Sequence, residues 1–390
     1  MSEWREVTLG DVAELKRGYD LPAADRRNGT VPIVSSSGRT GFHDEAKVRG
    51  PGVVTGRYGT LGAVFYIEED FWPLNTALYV RDFKGNHPKF VAALLASLEL
   101  GRSEGAAAVP GVNRNHLHVL PVTVPDPETQ SRIAEILGVM DDLIENNRRR
   151  IALLERLAQA IYREWFVHFR YPGHEDDELV DSSLGPIPAG WELRELQDIA
   201  SAVTDTVDPA EIDPETPAVG LEHIPRRSLT LVEWGRADGL ASRKARFLTG
   251  DVLFGKIRPY FHKVCVAPCD GICSTDAIVI RAIDERFRGL VTMSVFSDGF
   301  VAHAVATSNG TKMPRADWKV LRTWNVSVPP ERILAAFENA VTDSLDMCRL
   351  LAAQGRELAT LRDQLLPKLV TGAIDVSHLD LDALLEAPAA

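Results

Sequence analysis

The chain repeats itself once, in order and at near-constant spacing, and this narrows its possible architecture more than any other feature. The segment WREVTLGDVA, starting at Trp4, is echoed by WELRELQDIA, starting at Trp191; Trp, Leu, Asp and Ala keep their relative places. GVVTGRY from Gly52 is echoed by DVLFGKI from Asp251. Pro110, Leu117 and the VTVP ending at Pro125 return as Pro314, Leu321 and the VSVP ending at Pro329, at a constant offset of 204 residues. Three ordered matches, one anchored on the rare residue tryptophan, predict a duplicated unit. A long helical pattern follows each V-x-V-P ending, so the expected order is globule, helix, globule, helix.

The helices read directly. From Ile133 an apolar seam runs through Leu137, Met140, Ile144, Asn147, Ile151, Leu154, Ala158, Ile161 and Trp165. Steps of four and three alternate, a heptad pattern with one polar member at Asn147. Asp126, or Thr129 with Gln130, can cap its start, and Pro172 with Gly173 stops it. The second seam, beyond Pro329 and Pro330, carries Leu334, Phe337, Val341, Ser344, Cys348, Leu351, Leu358, Leu365 and Leu369. Ser344 and Gly355 interrupt it, and Pro367 ends or kinks its last turn. Each helix should span about 35–40 residues, roughly 55–60 Å at 1.5 Å per residue. A helix this long with one apolar stripe must bury it. The simplest partner is the other helix, antiparallel, with a globule at each end; packing on its own globule and homodimerisation are the alternatives.

Short apolar runs at 62–80, 251–254, 263–267 and 276–280, punctuated by Gly and Pro, predict β-rich globules, with short helices at 90–98 and 290–306. The expected fold class is α+β: two β-rich globules joined by two long helices forming an antiparallel coiled-coil spacer, with a pseudo-twofold internal repeat. The expected boundaries are 1–125 and 191–329 for the globules, 126–171 and 330–371 for the helices, 172–190 for a linker, and 372–390 for an acidic tail, partly ordered or docked on the first globule.

At 390 residues the chain can bury two or three cores. It has no run of 18 or more apolar residues, which gives no transmembrane helix. The start MSEWREVTLG has neither the basic head nor the apolar core of a secretion signal. Four cysteines are too few for a disulfide scaffold. The expectation is a cytoplasmic protein with no membrane association. A net charge of −12 argues against nucleic acid, yet the run from Arg226 to Lys263 holds nine basic residues against three acidic ones. Such a local face is compatible with phosphate contacts, which act within about 8–10 Å. A plain solvated surface is the other reading, and the acidic remainder implies weak DNA binding without partners.

Catalytic signatures are missing: the sequence has no GxxxxGK[ST], HExxH, GxGxxG or GxSxG, no Asn-Pro-Pro-aromatic tetrad, and no carboxylate-lysine nuclease pattern after Pro125 and Asp126. His262, Cys265, Cys269 and Cys273 have a spacing that a zinc ion could use, but Cys265 lies in an apolar run and no second cluster completes a site. Small buried apolar side chains are the better reading. Binding loops remain. In the first globule SSSGR (35–39), GRYGT (56–60) and GVNRN (111–115) offer Ser37, Arg39, Arg57, Tyr58, Thr60, Asn113 and Arg114. In the second, GKIRPY (255–260) and SNGTKMPR (308–315) offer Lys256, Arg258, Tyr260, Asn309, Thr311, Lys312 and Arg315. Arg and Lys suit a guanine edge or a phosphate, Asn suits an adenine edge, and Gly lets backbone come close. One such loop is by itself a plain turn; matching positions in both globules point to a shared reading face.

These residues resemble the specificity subunits of type I restriction-modification enzymes. The resemblance covers almost the whole chain. It rests on the two WxxxxLxDxA starts, on Gly56-Arg57 and the GKIRPY segment, on WFVHF from Trp165, and on LLPKLVTGAID from Leu365. It implies two target recognition domains, each reading half of a split, asymmetric DNA sequence, on a helical spacer. It implies that double-stranded DNA, two methyltransferase subunits and restriction (translocase and nuclease) subunits are the partners. S-adenosylmethionine, ATP and Mg²⁺ then belong to those partners, and this chain is a non-catalytic subunit that binds no cofactor. A two-headed protein-binding scaffold, or an enzyme of unrecognised type, would fit the bare residues otherwise.

Overall fold

The structure, a computed structural model, describes residues 4–98, 112–183, 185–310 and 312–376. It is mixed helix and sheet and divides into two compact units, Met1–Leu143 with Leu358–Ala390, and Ile144–Glu357. Each unit includes part of both long helices, Pro127–Tyr162 and Glu331–Val370.

In the first unit a four-stranded antiparallel sheet runs in the order Glu14–Arg17, Ala77–Asp82, Gly52–Gly56, Val64–Ile67. A smaller sheet orders Gly38–His43, Val31–Ser35 and Trp72–Pro73. The helix Pro88–Ser97, opened by a proline whose missing N–H is not needed there, lays Phe90, Val91, Leu94 and Leu95 into one core with Leu15, Val53, Leu78 and Val80. Leu369, Val370 and Val376 join that core, so the start of the expected tail is docked; residues 377–390 lie outside the described residues.

In the second unit a four-stranded sheet has the corresponding order: Ala200–Ala202, Ala277–Ala282, Val252–Gly255, Val264–Val266. Beside it stands a five-stranded sheet in which Pro217–Val219 and Gly271–Ser274 pair in parallel. The stretch expected as one helix at 290–306 is two, Arg288–Phe296 and Asp298–Ala306, bent by 57°. Ser297 makes the break, its hydroxyl accepting the Phe300 N–H as the cap of the second helix. No single helix among the described residues is long and apolar enough to cross a membrane.

The repeated sequence ends meet within each unit. Arg5–Thr8, inside the first WxxxxLxDxA segment, pairs antiparallel with Pro121–Val124. Glu192–Glu195 pairs in the same sense with Asn325–Val328. The chain therefore enters and leaves each globule on neighbouring strands, and the long helix starts directly after the exit strand.

Asp126 caps the first long helix: its Oδ1 accepts the Glu128 and Thr129 N–H groups at 3.0 Å, and these donors hold its carboxyl below the usual range. The helix ends before the expected Pro172–Gly173 stop. After Tyr162 one widened turn carries the His168 N–H to the Arg163 carbonyl, and Phe169 takes a positive φ of 55°. Aromatic packing explains this, since Phe166, Phe169 and Tyr171 all contact Trp191. The stretch expected as a linker is packed as well: Leu179–Val180 pairs with Ile187–Pro188, and Ile187 is buried. The second helix is unbroken through Ser344, Gly355 and Pro367. Ser344 returns its hydroxyl to the Ala340 carbonyl at 2.9 Å, which satisfies it inside the seam.

The two helices meet inside both units. In the first, Arg362 bonds Asp141 at 2.6 Å. In the second, Asn147 donates to Gln354 at 3.0 Å, and Ile151 is buried with Cys348 and Leu351. Within the second unit the partner number falls as the first helix rises, from 147 with 354 to 151 with 348, which is antiparallel pairing. Two buried carboxylates tie these helices to the second globule. Glu155 accepts the Thr230 N–H at 2.8 Å and the Ser228 and Thr230 hydroxyls. Glu338 accepts the Gly289 and Leu290 N–H groups, at 2.6 and 2.8 Å, where the helix Arg288–Phe296 begins.

Candidate nucleic-acid interface

In the first unit the predicted loops come together beyond the end of the strand Gly52–Gly56. The Arg57 and Tyr58 N–H groups both donate to the Thr76 carbonyl, at 2.9 and 3.1 Å, and the Arg57 carbonyl accepts the Val112 N–H at 2.9 Å. Only glycine fits at position 56, since a Cβ there would lie 1.8 Å from the Thr60 oxygen. A side chain at Gly59 would come to 3.5 Å from Ser36 Oγ, so the 35–39 and 56–60 turns lie against each other. Arg17, Arg57, Tyr58, Val112, Asn113 and Arg114 line a cleft of ≈ 380 Å³ at this edge.

The side chains there are not equally available. Arg39 is engaged by Glu69 at 2.7 Å, and Asn113 spends its side-chain oxygen on the Asn115 N–H as a helix cap. Ser37 is exposed, with its hydroxyl 3.0 Å from that of Ser35, and Thr60 is exposed in its turn. Arg57 lies over the Tyr58 ring at 4.6 Å, and neither Arg57 nor Arg114 has a carboxylate partner among the described residues.

The second unit wires its loops in the same way. The Lys256 N–H donates to the Asp276 carbonyl at 3.0 Å, and the Lys256 carbonyl accepts the Ala316 N–H at 2.9 Å. Arg258, with a positive φ of 50°, donates its N–H to the Pro314 carbonyl at 2.8 Å. Asn309 and Arg315 exchange both backbone bonds, at 3.0 and 2.8 Å, and close the 309–315 loop. Tyr260 stands 52% exposed, while Lys256 is half-buried and Arg258, Lys312 and Arg315 are exposed. Thr311 lies outside the described residues.

One member of the first cleft escaped the sequence reading. Arg17 sits at the end of a strand and not in a glycine loop; its one signal is the Lys16-Arg17 pair closing Glu14–Arg17. Arg226, at the start of the basic run, lies over Phe261 at 4.0 Å and pairs its backbone with that of Lys263, whose ammonium is pushed below its usual range by burial and by the Arg226 charge. Cys265 and Cys273 are fully buried apolar side chains, and burial pushes the Cys273 thiol up to about 12. Cys269 is only half-buried. His262 places Nε2 at 2.9 Å from the Phe296 carbonyl oxygen.

Comparison with known proteins gives a consistent answer. Residues 1–156 match the family model described as the type I restriction modification DNA specificity domain. The EcoDI specificity subunit of Escherichia coli is 26% identical over 369 residues, covering 84% of this chain and 78% of that protein. The MjaIX specificity subunit of Methanocaldococcus jannaschii is 24% identical over 295 residues, covering 70% of this chain; the match spans only 65% of that relative's length. The crystal structure of a type I restriction-modification S subunit from M. genitalium has the same fold, with a TM-score of 0.61 at 14% identity over 96% of this chain and 97% of that one. The first 156 residues thus match the specificity-domain family, and the chain is similar over most of its length to type I restriction-enzyme specificity subunits, whose fold it shares.

Proposed function

We propose that this chain is the DNA-recognition subunit of a type I restriction-modification enzyme, each globule reading one half of a bipartite, asymmetric target in double-stranded DNA. The observation that carries the reading is the repeated backbone wiring at Arg57 and Lys256. In both units a basic residue follows a strand-ending glycine, donates its N–H to the carbonyl before the neighbouring strand, and accepts an N–H from a second loop. Matching wiring under basic side chains that have no carboxylate partner among the described residues suits one task performed twice on one polyanion. The shared strand order supports descent of the two halves from one duplicated unit.

The two long helices act in this reading as an antiparallel coiled-coil spacer that sets the gap between half-sites. They also dock two methyltransferase subunits, with restriction subunits joining that core. Exposed Leu153, Leu157, Met347 and Leu350 on the helices support protein docking there. The chain does no chemistry itself, works in the cytoplasm, and leaves S-adenosylmethionine, ATP and Mg²⁺ to its partners. The test is methylation mapping in a host expressing this chain with its methyltransferase subunit. The expected result is one bipartite methylated sequence that disappears without this chain. Methylation by the pure chain alone would overturn the non-catalytic assignment.

A further inference from the structure

We propose that Arg57 reads a guanine in the first half-site and that Tyr58 is the residue that positions it. This rests on the DNA-recognition reading and adds which side chain decides one base, and by what geometry.

Arg57 is held more tightly than its exposure requires. Its own N–H and that of Tyr58 share the Thr76 carbonyl, while its carbonyl takes the Val112 N–H, so the backbone is clamped from two loops. Gly56, with no room for a Cβ, brings the chain into that clamp. The guanidinium then lies over the Tyr58 ring, with Cζ 4.6 Å from the centroid and Nη2 3.4 Å from the phenol oxygen. These two contacts restrict where the group can sit and leave most of its donors open. Of the other arginines nearby, Arg17 is engaged by Asp20 at 3.2 Å and Arg39 by Glu69 at 2.7 Å, while Arg114, also in the cleft, has no aromatic ring against it among the described residues.

A restrained fork of free donors is what guanine needs, because O6 and N7 present two acceptors side by side in the major groove. A phosphate needs only charge, which a loose side chain supplies equally well. Lys256, at the corresponding place in the second unit, carries a point charge and has no such fork, so the assignment is to the first unit alone.

The test uses the full-length chain assembled with its methyltransferase subunits. Once the methylated sequence is known, each guanine of the first half is replaced in turn by 7-deazaguanine, which lacks the N7 acceptor, and duplex binding is measured. One position should weaken wild-type binding about tenfold and the Arg57→Lys complex less than about twofold. Tyr58→Phe should keep the wild-type pattern, and Tyr58→Leu should show the Arg57→Lys pattern at the same base. Arg57→Gln, uncharged but still polar, gives a second readout if the lysine variant does not assemble: it too should be insensitive at that position. A first half without guanine, or equal sensitivity of wild type and variants at every guanine, overturns the proposal. Wild-type behaviour of Tyr58→Leu overturns the positioning role. A wild-type complex with no defined methylated sequence counts against the DNA-recognition reading itself, whereas a defined sequence indifferent to Arg57 counts against this inference alone.

Discussion

Asn147 donates its side-chain amide to Gln354 Oε1 at 3.0 Å in the middle of a helix seam that is otherwise apolar, with Ile144 and Ile151 buried on either side. A buried polar residue at such a position fixes register at a cost in stability. Gln354 is itself exposed and can turn to water when its partner is lost. Asn147→Leu should therefore change stability by less than about 1 kcal/mol or raise it, while Ile151→Ala, which leaves a cavity, should cost about 2–4 kcal/mol. Denaturant unfolding of both variants checks this. A loss above about 2 kcal/mol in Asn147→Leu would make the hydrogen bond a net stabiliser.

Glu338 predicts a pH dependence. Burial pushes its carboxyl up to about 7, against the pull of the Gly289 and Leu290 N–H groups. A folded value above the unfolded one means that the folded state binds the proton more tightly. This contribution is fully present below the unfolded value of 4.5 and is lost as pH rises through about 7. Between pH 5 and 8 the wild type should lose about 2–3 kcal/mol relative to Glu338→Gln, which cannot titrate. Thermal melts of both proteins across that window give the difference, and parallel curves would reject the assignment.

Division of labour gives the next expectation. Replacing residues 1–125 by the matching globule of a relative should change one half of the methylated sequence and leave the other half intact, because the backbone bonds described at Arg57 and at Lys256 each lie within their own unit. Sequencing the methylome of a host with the hybrid reads the result. Simultaneous change of both halves would mean that neither globule reads independently.

The helices were legible because their signal is local: heptad steps from Ile133 to Trp165 appear in consecutive residues, and all of these positions are buried or half-buried. The aromatic turn after Tyr162 was not, since Phe166 and Phe169 need Trp191 to pull the chain out of the helix. Glu155 and Glu338 were missed for a related reason. Each occupies a helix face that only the backbone of Thr230 or Gly289 makes suitable for a carboxylate, 75 and 49 residues away. The five-stranded sheet hides behind strands of two to four residues, too short for alternation to register. At the candidate interface the loops could be read from glycine and charge. Whether a charge was already taken, as Arg39 is by Glu69, depends on a contact 30 residues away.

The proposed spacer role makes a length prediction. Inserting one heptad in each helix, after Asn147 and before Gln354, preserves the facing of both seams, since seven residues return the apolar stripe to the same side. It lengthens the pair by roughly 10 Å at 1.5 Å per residue. On B-DNA that is about three base pairs of axial rise. The same step turns the second half-site by roughly 100°, given about 10.5 base pairs per turn, so reading must be recovered by twist in the DNA or in the helices. The expected outcome is methylation of the same two half-sequences across a gap wider by about three base pairs, at reduced efficiency because of that rotation. A two-residue insertion at the same points should abolish methylation, because it turns each seam by about 200° away from its partner. Methylome mapping of both variants decides the matter, and unchanged half-sites across an unchanged gap would show that the helices do not set the spacing.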